Sequence, residues 1–263
     1  MKRYLFLYLI FFKNSLIRMM ENRFDFIFRA IPTILNLSIN LFVISFIFSK
    51  IKEISGWNKE ELFLLLGTYN IVWGLFFGLF IQNMAKINGY ISRGDLDLFL
   101  TKPIDSQFYI SVVNPIDFGE GATVILGIFL VTRAVNIMNI NLNLIQFFTY
   151  AVIILSAVVA AYSLWFISLT LSFWIGRVYG LHEAFISFFE INKYPSDIFN
   201  GIIRNLFVYF LPLGVMVTFP TKFLLNRLDP MLIIWGSISG IIFLVTSHIF
   251  WNFALKRYSS ASS

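Results

Sequence analysis

Six long blocks of apolar residues alternate with polar stretches along this chain. An α-helix rises 1.5 Å per residue, so about 20 apolar residues are needed to cross the hydrocarbon core of a bilayer. The pattern predicts about six transmembrane helices, at Ile31–Ser49, Leu62–Gln82, Gly119–Val135, Leu144–Trp174, Ile202–Phe219 and Met231–Phe253. The expected fold is therefore an all-α integral membrane protein, with a single domain over residues 1–263.

Residues 1–29, before the first block, have a different pattern. Apolar residues recur there at helical spacing between Lys13, Arg18 and Arg23. An amphipathic basic helix of this kind is typical of the membrane interface. We therefore expect an interfacial N-terminal helix over residues 1–29, followed by a six-helix bundle over residues 30–258.

The stretch 180–200 is apolar but contains His182, Glu183, Glu190 and the pair Tyr194-Pro195. Two interpretations fit this composition. It is either an interfacial helix on the cytoplasmic face or a short re-entrant piece, which must be shielded by protein or water. We favour the interfacial helix.

Composition indicates a membrane protein rather than a soluble one. Hydrophobic residues make up 58% of the chain and charged residues 13%, whereas soluble domains contain about 45–50% and about 25%. The net charge of +6 does not indicate a nucleic-acid partner, because Lys and Arg are spread thinly between the apolar blocks. Membrane lipid is the expected surrounding. The absence of cysteine excludes disulfides and thiolate metal ligands.

The basic residues also predict which side of the membrane each connection faces. With a cytoplasmic N-terminus, 14 of the 20 Lys and Arg residues lie on the cytoplasmic side and 6 lie outside. Cytoplasmic loops characteristically carry an excess of Lys and Arg. We therefore expect both termini in the cytoplasm and residues 50–60 and 222–229 outside. The expected location is the cytoplasmic (inner) membrane of a prokaryote.

The connection between the second and third predicted helices, residues 83–104, has the most informative pattern. Apolar residues follow helical spacing up to a break at Gly94, and the stretch ends at Lys102-Pro103. A short amphipathic helix here could lie across the cytoplasmic face and present carboxylates to a soluble partner. A solvated loop, whose charges only keep it out of the bilayer, fits the pattern equally well.

The run Gly94-Asp95-Leu96-Asp97-Leu98, with Leu100, Lys102 and Pro103, resembles the G-[ED]-L-D-x-x-L-x-[KR]-P signature of ABC type-2 family permeases. Three further stretches resemble that family in the same order. They are Gly56-Trp57 with Glu61-Leu62 and Gly67, then Tyr194-Pro195 through Leu224-Leu225, and the tail from Trp251 to Ala261. The resemblance extends from about residue 56 to the C-terminus.

This resemblance implies a six-helix half-transporter that pairs with a second permease and with two ABC ATPase subunits. A heterodimer of unlike permeases is favoured over a homodimer. ATP and Mg²⁺ would be bound by the ATPases, with no cofactor in this chain. In such families the loop between helices two and three docks in a groove of the ATPase. The resemblance therefore assigns ATPase coupling to Gly94, Asp95, Leu96, Asp97, Leu98, Leu100, Lys102 and Pro103.

Three ionisable residues are candidates for a transport pathway. Charged groups inside a membrane are costly and usually face the bundle interior or a cavity. Asp117 and Glu120 follow Asn114-Pro115 at an expected helix start, where carboxylates also complement the helix dipole. His248 lies in the last predicted helix without a carboxylate near it in sequence. It serves either as a hydrogen-bonding group between helices or, less often, as a proton relay.

No motif for catalysis or nucleotide binding is present. The chain has no G-x-x-x-x-G-K-[ST] loop, no HExxH, no nucleophile elbow and only 2 His. We therefore expect no catalytic residue, no metal site and no enzyme activity. Gly236 and Gly240 instead predict a closely packed helix surface, facing either a partner or the chain's own bundle.

The favoured function is the permease subunit of an ABC exporter. External connections such as Thr132–Asn143 are too short to form a substrate-binding domain, which favours export. The alternative is a non-transporting membrane scaffold or a subunit of an intramembrane enzyme complex. An ATPase bound to the detergent-solubilised protein would distinguish the two.

Overall fold

A computed structural model describes residues 2–21, 23–114, 116–175, 180–211 and 213–258. This part of the chain is almost entirely helical, and its one extended pairing is a bridge between Ile54 and Trp57. Five of its helical stretches are long and apolar enough to cross a membrane: Ala30–Phe48, Lys59–Arg93, Phe118–Ile137, Leu144–Ile175 and Pro230–Leu255. The protein is an all-α integral membrane protein, as the apolar blocks predict.

The α-helices of the described residues are numbered in chain order. They are α1 (Lys2–Glu21), α2 (Arg23–Phe48), α3 (Lys59–Arg93), α4 (Asp97–Leu100), α5 (Ser106–Val112), α6 (Gly121–Ile137), α7 (Leu144–Thr170), α8 (Ser172–Ile175), α9 (Leu181–Glu190), α10 (Gly201–Asn205), α11 (Leu213–Met216), α12 (Thr218–Leu224) and α13 (Pro230–Leu255). Short 3₁₀ turns lie at Phe118–Glu120, Ile191–Lys193 and Ser196–Ile198, and a π-helical turn lies at Leu206–Phe210.

The bundle has two ends, which we name after the turns that flank α3. The Trp57 end holds the turn before α3, and the Gly94 end holds the turn after it. α3 connects them with 35 residues, which is about 52 Å at 1.5 Å per residue. Because the hydrocarbon core of a bilayer is only about 30 Å thick, α3 must tilt or project beyond it.

Local sequence determines where α3 begins and ends. The Asn58 side chain accepts a hydrogen bond from the Glu61 N–H at 2.9 Å, and the Glu61 carboxylate accepts one from the Asn58 N–H at 3.0 Å. This capping box satisfies two backbone donors that the first helical turn leaves free. At the other end Gly94 has a φ of +80°, a left-handed conformation that glycine adopts without strain.

α3 lies at the centre of the bundle and packs against α6 and α7. Glycines allow the first of these contacts: a Cβ added at Gly127 would lie 2.8 Å from the Gly67 carbonyl oxygen. α13 packs on the other side of α7, where Gly236 and Gly240 face α7 of the same chain. The small-residue surface predicted from these two glycines is therefore used inside the bundle.

The third crossing contains a break near its middle. α5 ends at Val112, the chain passes through Asn114 and Pro115 (Pro115 lies outside the described residues), and helical structure resumes at Phe118. The Asp117 N–H donates a hydrogen bond to the Gly78 carbonyl at 2.8 Å, which attaches this link to α3. The apolar span predicted at Gly119–Val135 is confirmed, and α5 extends the crossing to the Gly94 end.

The prediction of a fifth span at Ile202–Phe219, broken by Pro212, is wrong. The chain there forms α10, the π-helical turn, α11 and α12, with Pro212 outside the described residues. Both flanks of this region lie at the Trp57 end, because the Asp197 carboxylate accepts a hydrogen bond from the Trp57 indole at 3.0 Å and pairs with Lys222 at 2.7 Å. The region is a broken helical hairpin that enters and leaves at one end. Hydropathy reports burial and cannot distinguish such a hairpin from a crossing.

α9 lies in the stretch that carries the chain from α7 back towards the Trp57 end, although its 10 residues, about 15 Å, are fewer than a full span needs. Its first turn lies beside the Gly94 half of α7, with the His182 and Trp165 rings 5.3 Å apart. Its last turn is fully buried at Phe189, whose ring stacks on Phe76 at 5.5 Å. The chain then reaches the Trp57 end through Asp197. The interpretation of residues 180–200 as a surface interfacial helix is therefore wrong, because aromatic packing holds α9 inside the bundle.

The first 29 residues are not one helix, since α1 ends at Glu21 and α2 already begins at Arg23. α1 lies along α5 and the link that follows it. The Tyr4 hydroxyl accepts a hydrogen bond from the Asp105 N–H at 3.3 Å, and the Ser15 hydroxyl accepts one from the Ile116 N–H at 2.9 Å. Apolar residues of α1 remain exposed, and its location at a membrane interface stays a prediction.

Candidate functional site

Residues 94–103, which we call the coupling segment, lie where α3 ends and α5 begins. Gly94 turns the chain out of α3, and α4 follows as a single helical turn. Asp105 then caps α5 by accepting a hydrogen bond from the Phe108 N–H at 2.8 Å. The turn and the cap hold the coupling segment between two helices.

Leu96 anchors the coupling segment to the bundle. Its side chain is fully buried, and its N–H donates to the Tyr90 carbonyl at 3.2 Å. Phe99 adds a second anchor, with its ring 4.6 Å from the Tyr90 ring. The resemblance grouped Leu96 with the docking residues, but in this structure it faces the helices and is not accessible to a partner.

The remaining residues of the coupling segment form a surface that contains both apolar and charged side chains. Leu98 is 68% exposed and Leu100 is 37% exposed. Lys102 and Pro103 are also exposed, whereas Asp97 is half-buried. Asp95 pairs with Arg93 at 3.5 Å, and because the Arg93 side chain is 66% exposed and that of Asp95 46%, the pair contributes little to stability. An apolar patch flanked by charges is thus available for contact.

Tyr258, near the end of the described chain, lies close to the coupling segment. Its ring is 5.7 Å from that of Phe173. Burial, followed by the negative charge of Asp97, raises the pKa of the Tyr258 hydroxyl above its ordinary value of 10.0. Residues 259–261, part of the tail that resembles the family, lie outside the described residues.

A buried polar network behind the coupling segment joins α5 to α7 and α13. The Gln107 amide donates hydrogen bonds to the Tyr162 hydroxyl at 3.2 Å and to the Ser247 hydroxyl at 3.0 Å. Its carbonyl oxygen lies 3.0 Å from Nδ1 of His248, and the Ser111 hydroxyl lies 2.7 Å from that of Tyr162. The network pairs polar groups that would otherwise be costly to bury.

His248 has a carboxylate neighbour that its sequence surroundings do not indicate. Its Nδ1 atom lies 3.8 Å from an oxygen of Asp105, in addition to the hydrogen bond with Gln107. A cavity of about 580 Å³ with mostly apolar walls adjoins both side chains. Asp105 and His248 are far apart in sequence and meet only because α5 packs against α13.

Asp117 acts at a helix start. One of its carboxylate oxygens accepts a hydrogen bond from the Gly119 N–H at 2.9 Å, and the other accepts one from the Gln82 amide at 3.2 Å. These are the contacts of a capping residue, which is the simpler of the two roles that the sequence allows.

A polar cavity of about 220 Å³ lies between α2, α3, α9 and the start of α6. Its lining consists of Pro32, Thr33, Asn36, Tyr69, Asn70, Trp73, Glu120, Thr123, Glu190 and Lys193. Glu120 accepts a hydrogen bond from the Thr123 hydroxyl at 2.9 Å, while Glu190 and Lys193 form an ion pair at 2.7 Å. Of the three ionisable pathway candidates, only Glu120 lines this cavity; His248 lines the apolar cavity and Asp117 lines neither.

Sequence reasoning missed Tyr69, Glu190 and Lys193 as members of this cavity. Glu190 and Lys193 were assigned to a surface helix, so their charges needed no explanation. Had residues 180–200 been interpreted as a crossing, the rarity of ionisable groups inside membranes would have marked both as site candidates.

Comparison with known proteins agrees with this architecture. No curated protein and no solved structure matches the chain. A family model described as "ABC-2 family transporter protein" matches residues 34–262, a range that contains the coupling segment and every helix from α3 to α13. The chain therefore belongs to the ABC-2 transporter family, whose members are permease subunits of ABC transporters.

Proposed function

We propose that this permease subunit belongs to an exporter driven by ATP hydrolysis in two separate ATPase subunits, which bind ATP and Mg²⁺. The coupling segment is the observation that carries the proposal. In this segment Leu98 is exposed between charged residues. The segment is attached to the bundle by the buried Leu96 side chain and by the turn at Gly94. A segment held in this way passes a displacement to the helices behind it, whereas a loose loop would absorb it.

Two routes lead from the coupling segment into the bundle. α3 is continuous from Gly94 to the Trp57 end and contributes Tyr69, Asn70 and Trp73 to the polar cavity. α5 is bonded through Gln107 to α7 and α13. Movement of the coupling segment would therefore shift both the cavity wall and the helices on the opposite side of α7.

Export is favoured because the connections at the Trp57 end are short. Residues 138–143 link α6 to α7, and residues 225–229 link α12 to α13. The helical hairpin between them packs against the bundle through Trp57 and Lys222. None of these segments is long enough to form a separate substrate-binding domain of the kind an importer would need.

We place the Gly94 end and both termini in the cytoplasm, with the chain in the inner membrane of a prokaryote. Because the chain after α9 lies at the Trp57 end, we assign Lys193 and Arg204 to the outer group. The distribution of Lys and Arg becomes 12 inside and 8 outside, of the 20 in the chain. The bias keeps its sign and supports the same orientation.

We also propose a second permease subunit, an unlike chain being favoured over an identical one. Only 6% of the apolar window of Ala30–Phe48 and 22% of that of Pro230–Leu255 is buried within this chain. These faces are therefore left for lipid or for a partner subunit.

Site-directed crosslinking tests the ATPase partnership. The chain has no cysteine, so Lys102→Cys places one thiol on the coupling segment. A thiol–amine crosslinker in native membranes should join it to a protein with a G-x-x-x-x-G-K-[ST] sequence, identified by mass spectrometry. Ser55→Cys, at the Trp57 end, is the matched control and should give no such product. Adducts of Lys102→Cys that contain scaffold or enzyme subunits without an ATPase would favour the non-transporting alternative.

A further inference from the structure

We propose that the apolar cavity binds an alkylammonium ion, with the ammonium group at Asp105 and the alkyl chain inside the bundle. The cavity lies between α1, α3, α5, α7 and α13 and shares no lining residue of the described chain with the polar cavity. Its volume of about 580 Å³ is within the range of about 300–1,000 Å³ that is typical of small-molecule sites.

The polar groups around this cavity bond to one another and leave its walls apolar. Both amide protons of Gln107 are donated, one to the Tyr162 hydroxyl and one to the Ser247 hydroxyl. Most of the wall is formed by apolar side chains, among them Phe80, Val112, Val159 and Leu244. Apolar cavities hold water poorly and bind apolar molecules instead. The walls therefore suit an alkyl chain.

Asp105 gives the cavity a negative end. Among the described residues that line the cavity, Asp105 is the one acidic residue and none is Lys or Arg. One of its carboxylate oxygens accepts a hydrogen bond from the Phe108 N–H at 2.8 Å. The other lies 3.8 Å from Nδ1 of His248, which is beyond hydrogen-bonding distance. Since a carboxylate can accept several hydrogen bonds, Asp105 can accept more from a ligand.

His248 makes its contacts without a positive charge. Because both amide protons of Gln107 are used elsewhere, its side-chain oxygen faces Nδ1 of His248 at 3.0 Å and accepts a hydrogen bond from it. The amide nitrogen of Asn252 is a donor and lies 2.9 Å from Nε2, which must therefore accept. An imidazole with its single proton on Nδ1 satisfies both contacts. The charge of Asp105 is therefore left for a cationic ligand.

The position of the cavity suits an amphiphile that enters from the lipid. Leu244 and Val245 line the cavity on α13, and they are 39% and 52% exposed at the surface of the chain. Asp105 lies at the Gly94 end, directly after the coupling segment. An ammonium group at Asp105 therefore lies near the membrane surface while its alkyl chain extends into the bundle. An alkyl carboxylate would be repelled by Asp105, and an alcohol would lack the complementary charge.

Photolabelling of the purified chain in lipid nanodiscs tests the proposal. Three probes carry a diazirine on the same decyl chain and end in an ammonium, a hydroxyl or a carboxylate group. Labelling of α5, which has no exposed residue, is divided by labelling of the exposed helix Ala30–Phe48, which reports the amount of probe in the lipid. We expect this labelling ratio to be about tenfold or more higher for the ammonium probe than for the hydroxyl probe, because hydrogen bonds between charged groups typically contribute that much.

Asp105→Asn removes the charge but keeps a residue type that caps helices equally well. It should lower the labelling ratio of the ammonium probe to that of the hydroxyl probe. Asp117→Asn is the matched control, because it makes the same change at another helix start and Asp117 does not line the cavity. The labelling ratio should be unchanged in Asp117→Asn.

Val245→Phe is a second variant, which leaves the cap of α5 intact. The larger side chain fills the cavity from its exposed side and should lower the labelling ratio of the ammonium probe. Ile241→Phe is its control, since Ile241 is 65% exposed on the same helix and does not line the cavity. It should leave the labelling ratio unchanged.

Equal labelling ratios for the ammonium and hydroxyl probes would overturn the proposal, because the cavity would then accept alkyl chains without regard to charge. Ratios that stay at the unchanged chain's value in Asp105→Asn, or in Val245→Phe, would overturn it as well. The measurement uses the chain without its ATPase, so its outcome does not depend on the proposed transport function.

Discussion

The backbone N–H of Gly240 donates a hydrogen bond to the Ser156 hydroxyl at 2.9 Å. This contact brings α13 so close to α7 that a Cβ added at Gly240 would lie 2.5 Å from the Ser156 carbonyl oxygen. In lipid the hydrophobic effect does not drive helices together, because lipid tails are as apolar as the helix surfaces. Close packing at small residues is therefore a main source of helix association in membranes. The attachment of the last helix therefore depends on a residue without a side chain.

Gly240→Ala is expected to destabilise the permease. The added methyl group meets backbone atoms of α7, which cannot move aside without shifting a helix, and overpacking of this kind costs about 1–3 kcal/mol. Reversible unfolding in mixed micelles measures the change in the free energy of unfolding. Gly89→Ala is the control, because a Cβ there meets only the end of the flexible Arg93 side chain. Equal losses in the two variants would contradict the packing argument.

Leu96→Ala and Leu98→Ala should affect two different properties, stability and association with the ATPase. Leu96 is fully buried, and loss of a buried leucine costs about 2–5 kcal/mol, so Leu96→Ala should lower stability. Leu98 is 68% exposed, so Leu98→Ala should leave stability unchanged and weaken association with the ATPase. Expression level and melting temperature report the first effect, and co-purification of the ATPase reports the second. If Leu98→Ala retains the ATPase fully, the docking role of this residue is excluded.

Charge removal tests the same segment independently. Asp95→Asn with Asp97→Asn keeps the size of both side chains, and the solvent-accessible Asp95–Arg93 pair contributes only about 0–1 kcal/mol to stability. The double variant should insert and fold normally while associating more slowly with the ATPase, because complementary charge mainly accelerates and orients association. Normal association and normal transport would show that these carboxylates are not part of the docking surface.

Tyr162→Phe should destabilise the chain by about 1 kcal/mol, the size typical of hydrogen bonds between membrane helices. It removes the partner of Ser111 at 2.7 Å and of the Gln107 amide at 3.2 Å. The unfolding free energy measures the loss. Tyr194→Phe serves as the control, since Tyr194 is 57% exposed. A loss no larger than that of the control would mean that water or other groups replace these bonds.

Cysteine labelling of intact cells tests the revised topology. Single cysteines at Ser55 and Asn200, both exposed, should react with an impermeant maleimide from outside. A cysteine at Lys102 should react only after the cells are opened. Residue 200 is the discriminating position: labelling only after opening would restore the cytoplasmic placement of residues 180–200 and contradict the course of the chain through α9 to the Trp57 end.

Long apolar blocks and the signature at Gly94 were sufficient to predict a helical membrane protein of this family. Both depend on information local to the sequence. A helix satisfies its own backbone in lipid, so an apolar run of sufficient length has few alternatives. The start of α3 at the Asn58–Glu61 capping box and its end at Gly94 are likewise set within a few residues.

Tertiary packing decided the rest. Residues 180–200 and 201–224 are both apolar, and only the contacts of Phe189 with Phe76 and of Asp197 with Trp57 show which one runs along the bundle towards the Trp57 end. Three further arrangements arise from contacts between elements that are distant in sequence. They are the burial of Leu96, the proximity of Asp105 to His248, and the position of Glu120 and Glu190 in the lining of one cavity. Sequence periodicity reports how apolar a helix is, and in a lipid-surrounded bundle the lipid-facing and buried faces are equally apolar. The sequence alone therefore determined the class of the fold, while the arrangement of its polar residues depended on which helices pack together.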